Sequence, residues 1–161
     1  MKNTEQIVES LTNAFGESAI TFEPEGKVEP WIRVEPGSIV EVSRYLRDDP
    51  ELRLDTLCCL SGVHYPDDEQ YGVTYHLHST KKGHSLTLKV RVSEEDPRVP
   101  SVESIWKTAN WHEREAFDMF GIIFENHPDL RRILCPDDWE GHPLRKDYRQ
   151  ADSYRGMKIP Y

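Results

Sequence analysis

Two runs near the C-terminal end carry most of the side chains able to do chemistry: Glu113-Arg-Glu-Ala-Phe-Asp-Met-Phe-Gly121 and His127-Pro-Asp-Leu-Arg-Arg-Ile-Leu134. Carboxylates such as Glu113, Glu115 and Asp118 can share acid–base work when their surroundings split their pKa values, with Arg114 as an electrostatic clamp. Set a few positions apart on a helix around an arginine, the same residues also build a structural ion-pair network, and we prefer that reading. Arg131 and Arg132, beside Asp129, can grip a phosphate or fork onto carboxylates of their own segment or of a neighbour. Arg145-Lys146-Asp147 offers the same choice, and a protein contact is preferred for both. Trp111, Phe117, Phe120, Phe124, Trp139 and Tyr148 are interleaved with these charges. Planar guanidinium groups beside carboxylates and rings suit a buried, hydrogen-bonded protein contact.

Other candidates are weaker. His76 and His78 share one face of an expected strand, with His64 and His84 as possible neighbours, and histidines two apart can ligate a metal. No carboxylate or cysteine falls at matching spacing, so solvated or interface histidines are the simpler reading. His127 and His142 stand beside prolines and suit orienting backbone or pairing with a carboxylate. Cys58, Cys59 and Cys135 form an odd set without a C-x-x-C pair. That pattern argues against a disulfide framework, a zinc ribbon or a self-contained iron–sulfur site, and a lone Cys135 is a poor cluster ligand for a neighbour. Cys58 and Cys59 lie in an apolar run and are expected in the core.

The elements that position these residues follow from periodicity. Ile7, Val8, Leu11, Ala14 and Phe15 predict a helix over 4–15, with Asn3 and Gln6 as a capping box and Gly16 as its stop. Short strands are expected at 19–22 and 31–34, and a second helix over 37–47 with Ile39, Val42, Tyr45 and Leu46 as its stripe. Residues 54–63 are apolar on both faces, as in a central strand. Tyr71, Val73, Tyr75 and Leu77 alternate with polar residues, as do Leu86, Leu88, Val90 and Val92, and Lys81-Lys82-Gly83 supplies the turn between these two strands.

Pro100-Ser101 opens a last helical pattern reaching Gly121, as one long helix or as two broken at Asn110. In the single-helix form Glu113 sits on the apolar stripe and needs an arginine or a hydrogen-bonding neighbour. After Gly121 the pattern stops, with one helical turn expected at 129–134. The expected class is α+β: a two-layer sandwich with helices on one face of a largely antiparallel sheet. Residues 1–121 form the domain and 122–161 an extended C-terminal arm, docking on its own domain or on a partner.

Bulk properties bound the function. A chain of 161 residues fits one domain with an extension and can bury a core without disulfides. Hydrophobic content of 37% and charged content of 30% read as globular. A formal net charge of −9 argues against a nucleic-acid groove as the main function. No run approaches the roughly 18–20 apolar residues of a membrane span. The polar start, Met1-Lys-Asn-Thr-Glu-Gln, leads into no signal-peptide core.

Glu113-Arg114-Glu115, Asp118-Met119-Phe120-Gly121, His127-Pro128, Leu130-Arg131-Arg132-Ile133-Leu134 and Gly141-His-Pro-Leu-Arg-Lys-Asp-Tyr148 resemble the signature of the 30 kDa subunit of respiratory complex I. The resemblance implies a subunit of the proton-pumping NADH:quinone oxidoreductase, supporting electron transfer from NADH to quinone. It implies no flavin, iron–sulfur cluster or quinone in this chain; FMN and the clusters lie in partner subunits. The implied partners are the large quinone-site subunit (49 kDa type) and other peripheral-arm subunits. The implied place is peripheral, on the cytoplasmic side of a bacterial inner membrane or the matrix side in mitochondria, with membrane contact only through the complex. No catalytic residue is expected; the signature residues, with Trp139, are expected at an interface. Two alternatives stay open: a homologous small subunit of a membrane-bound hydrogenase or F420-type dehydrogenase, and a free-standing hydrolase using His76, His78 and a metal.

Overall fold

The protein is described by a computed structural model over residues 3–24 and 30–159. Helix α1 spans Thr4–Phe15 and starts on the expected capping box: the Gln6 backbone N–H donates to Asn3 Oδ1 at 2.9 Å, and the Asn3 N–H to Gln6 Oε1 at 3.1 Å. Gly16 ends it at φ +80°, where a side chain would be strained. Strands β1 (Ile20–Glu23) and β2 (Trp31–Val34) lead through a 3-10 turn at Pro36–Ser38 into α2 (Ile39–Asp48). That turn takes the first residues of the expected second helix, because Pro36 suits the start of a turn. Three long strands follow: β3 (Thr56–Tyr65), β4 (Gln70–His78) and β5 (Ser85–Ser93).

These strands form one sheet in the order β1-β2-β5-β4-β3, antiparallel except between β2 and β5. Ile7, Leu11, Ile39, Val42 and Leu46 from the helices meet Val73, Tyr75, Leu77, Leu88 and Val90 in one buried cluster. The fold is therefore the α+β arrangement read from the sequence, with helices on one face of a largely antiparallel sheet.

Strand β3 departs from expectation. It is an edge strand rather than a central one, and a register shift between Leu57 and Cys59 turns Cys58 out to solvent. Cys59 is half-buried, so neither cysteine is a core residue. The run looks apolar on both faces because it includes Leu54, which precedes the strand and is buried in the core, its carbonyl accepting from the Trp106 indole N–H at 3.0 Å.

Neither one long helix from Ser101 nor a first helix over 101–109 is formed, while the break expected at Asn110 falls next to the observed start of the last helix. Arg98–Pro100 is strand β6, paired in parallel with β7 (Ile123–Glu125), and helix α3 spans only Ala109–Phe120. The reason lies in Glu113. Its carboxylate accepts from the Ser101 hydroxyl at 2.6 Å and the Val102 N–H at 2.8 Å. A continuous helix would separate positions 101 and 113 by about 18 Å. Folding residues 101–108 back supplies donors to a buried carboxylate that a straight helix would leave without them. Among the described residues, no helix is long and apolar enough to cross a membrane.

Candidate functional site

Helix α3 and the chain after it form a dense polar assembly. Asp118 is fully buried at its centre. One carboxylate oxygen accepts backbone N–H groups of Ile133, Leu134 and Cys135 at 3.0, 2.7 and 2.9 Å; the other accepts from Arg132 Nη1 at 3.2 Å. Burial alone would raise the Asp118 pKa, but these donors outweigh it and hold the acid below its ordinary range. Residues 129–134 form no helical turn, because the N–H groups of Ile133 and Leu134 are spent on this carboxylate.

Gly121 lets the chain reverse. It ends α3 at φ +77°, and a Cβ there would lie 2.7 Å from His142 Nε2 and against Arg145 Nη2. Arg145 Nε donates to the Phe120 carbonyl at 2.7 Å, and its guanidinium lies 5.1 Å from the Tyr71 ring centre. His142 Nδ1–H donates to the Asp118 carbonyl at 2.9 Å, and burial pushes its pKa down toward the neutral ring. The Lys146 backbone N–H donates to His64 Nδ1 at 2.9 Å, which leaves Nε2–H to donate to Glu94 at 2.5 Å. The ring is thereby held as the Nε2–H tautomer. Arg132 Nη2 reaches the Gly141 carbonyl at 2.9 Å, and the Trp139 indole N–H donates to the Tyr148 hydroxyl at 3.1 Å. The polar groups of this part of the arm are thus largely matched within the chain, on the helix side of the sheet.

A second buried cluster stands at the start of α3. Among the described residues no cation bonds Glu113, and burial raises its pKa to about 7. His127 Nε2 is 3.9 Å from it but donates to the Asn110 carbonyl at 3.2 Å, while Nδ1 accepts the Asp129 N–H at 3.0 Å. The Tyr75 hydroxyl is fully buried and has no hydrogen-bond partner among the described residues.

Of the other expected site residues, some pack inside the chain and some stay exposed. Met119 and Phe120 are buried, the Phe120 ring lying against Gly62, where a Cβ would meet it at 2.6 Å. Arg114 is buried, donates to the Arg131 carbonyl at 3.3 Å and stacks 4.8 Å from the Trp111 ring centre. Arg131 is exposed and pairs with Asp129 at 2.9 Å. Glu115 and Asp147 are exposed, the latter 3.9 Å from His64 Nδ1.

His76 and His78 lie on the other face of β4 from His64 and bond Thr87 and Ser85 across the sheet. His84 bonds the Leu52 carbonyl, so the four histidines do not converge. Among the described residues, no group of three or more His, Cys, Asp or Glu is placed to hold a metal.

Sequence reasoning missed Ser101 as the donor to Glu113 and His64 as the receptor for the arm. Glu113 on an apolar stripe was the available signal for the first. The second had none, since positions 64 and 146 are brought together only by the fold.

Three large apolar side chains of this region stay exposed. Trp111 is 63% exposed and Leu134 63%, with Leu144 at 52%. A groove of about 180 Å³ between α3 and β3 runs along Leu60, His112, Glu115, Met119 and Leu144.

The family model for the 30 kDa subunit of the respiratory-chain NADH dehydrogenase matches residues 32–154. The chain belongs to this family. An NADH-quinone oxidoreductase subunit of Chlorobium phaeobacteroides is 42% identical over 165 residues, covering 98% of this chain and 99% of the relative. The like-named subunit of Chloroherpeton thalassium is 57% identical over 122 residues, covering 74% of this chain and 50% of that longer relative. Among solved structures, a trypsin-resistant fragment (1-134) of Nqo5 is 32% identical with a TM-score of 0.61, covering 78% of this chain and 98% of the other. A chain of an archaeal membrane-bound sulfane sulfur reductase shares the fold at 23% identity and a TM-score of 0.73, covering 92% and 86%. Membership makes this chain a subunit of an oxidoreductase complex, the NADH:quinone oxidoreductase of the respiratory chain.

Proposed function

We propose that this chain is a non-redox scaffold of the complex, and that α3 with the arm after residue 121 docks on the large quinone-site subunit. The single observation carrying this reading is the contrast at α3: buried polar groups bonded within the chain, beside exposed Trp111, Leu134 and Leu144. Rigid apolar side chains on a pre-ordered surface lose little entropy on docking and make good anchors. In this reading Glu113, Asp118, Arg132, Arg145 and Gly121 shape the surface, while Trp111, Arg131, Glu115, Lys146 and Asp147 meet the neighbour. Electron transfer and proton translocation belong to the assembly, whose FMN and iron–sulfur clusters sit in partner subunits. The chain then lies on the cytoplasmic side of the membrane, held there through the complex.

Capture of the large quinone-site subunit by the full chain tests this. Trp111→Ser with Leu134→Ser should abolish capture while thermal stability stays near that of the parent. Undiminished capture by a folded double variant would refute the docking surface.

A further inference from the structure

The sheet has a second face, turned away from the helices, that the docking proposal does not use. Alternation places Trp31 and Arg33 of β2, Thr87, Lys89 and Arg91 of β5, and Thr74 and His76 of β4 on it, all opposite core residues. Among the described residues, its hydrogen bonds and ion pairs stay within the sheet and the β3–β4 turn, and none runs to a helix or to the arm.

Three cations meet there. Arg33 is opposite Lys89 in the parallel register of β2 and β5, and Arg91 is the next residue of β5 on the same face. Each cation of β5 is held over a ring: Lys89 Nζ lies 4.3 Å from the Trp31 ring centre, and the Arg91 guanidinium 4.2 Å from that of Tyr65. Gly72 makes the second stack possible, since a Cβ there would meet the Tyr65 ring at 2.7 Å.

Like charges in adjacent register repel, and the compensation is incomplete. Asp68 pairs with Arg91 at 2.8 Å. Glu23 and Glu35 stand at the rim, Glu35 lining with Arg33, Gln70 and Arg91 a cleft of about 190 Å³. No described carboxylate bonds Arg33 or Lys89. Burial, and then the charge of Arg91, hold the Lys89 pKa below its ordinary value, as expected for an ammonium without a counter-ion. The chain is acidic, with net charge −9, yet among the described residues no carboxylate bonds either cation at the centre of this face.

We infer that this face docks an acidic segment of a neighbouring subunit, with carboxylates meeting Arg33 and Lys89 and apolar atoms resting on Trp31 and Tyr65. The stacked cations are ordered before contact, and a carboxylate between them removes their mutual repulsion. This surface is separate from the one at α3, and its test does not depend on that docking.

Amine acetylation, read by mass spectrometry, compares the isolated full chain with the assembled complex, using Lys81 and Lys82 of the β4–β5 turn as references. Lys89 labelling should fall several-fold on assembly, and a zero-length carbodiimide reagent should join Lys89 to an Asp or Glu of another polypeptide. Equal labelling in both states, or the absence of that link, would overturn the inference. Protection of Lys89 in the isolated chain by phosphatidylglycerol vesicles to the same degree would overturn it too, by assigning the face to a lipid headgroup.

Discussion

The two sides of the sheet handle charge in opposite ways. On the helix side, Asp118 gathers three backbone N–H groups and Arg132, and Arg145 and His142 close on carbonyls of α3, so the buried part of the charge-rich motif around Asp118 is bonded within the chain. On the bare side, Arg33 and Lys89 stand in register, and among the described residues no carboxylate bonds either. A dense motif of charges therefore marks internal construction, while a sparse set of unmatched cations marks a place for something else. The apolar residues Trp111 and Leu134, carried outward by the closed assembly, are the helix side's own offer to a neighbour.

The largest effect expected is from Asp118→Ala. It strands three N–H groups and a partly buried arginine, and should cost about 3–5 kcal/mol, read by chemical denaturation, with the arm becoming cleavable by trypsin at Arg131 and Arg132. An unchanged proteolysis pattern would erase the contrast between the two sides. Because Asp118 titrates below its unfolded value, its contribution is complete above the ordinary carboxylate range and fades as pH falls through the folded pKa.

Glu113 titrates in the other direction. With its pKa raised from 4.5 to about 7, the folded state holds the proton more tightly. Stability should therefore fall as pH rises across that window, by roughly 3 kcal/mol for this group, and stay lower above it. Glu113→Gln keeps an acceptor for the Val102 N–H and should remove that slope, which urea titrations at the two ends of the window measure.

Arg145→Lys removes the Nε donor to Phe120 and the stack on Tyr71, and should cost about 1–3 kcal/mol in the same assay. Arg131→Lys, at an exposed pair, should change stability little; an equal loss at both positions would blur the distinction between shaping and contacting residues. The smallest effect belongs to the bare face. Lys89→Glu alone should move stability by no more than about 0.5 kcal/mol, because the new attraction to Arg33 and Arg91 offsets the stack lost from Trp31.

The sheet and its helix side were legible because alternation and the 3.6-residue stripe are local: Tyr71 to Leu77, Leu86 to Val92 and the Asn3–Gln6 cap all read directly. The edge position of β3 was not, since strand order depends on the parallel β2–β5 pairing, which no local pattern encodes. The long helix failed for a related reason. Periodicity from Ile105 to Phe120 ignored the carboxylate of Glu113, whose need for donors reaches back to Ser101 and Val102 and breaks the helix. In the candidate site the charged residues were found by type and spacing, but their partners were backbone groups, which carry no sequence label.

Amide hydrogen exchange at Ile133, Leu134 and Cys135 in the isolated full chain tests most directly whether the arm is built into its own domain. The three N–H groups bonded to Asp118 should exchange slowly before any partner is added, and become fast in Asp118→Ala. Fast exchange in the parent chain, slowed only when the large quinone-site subunit is present, would contradict the account.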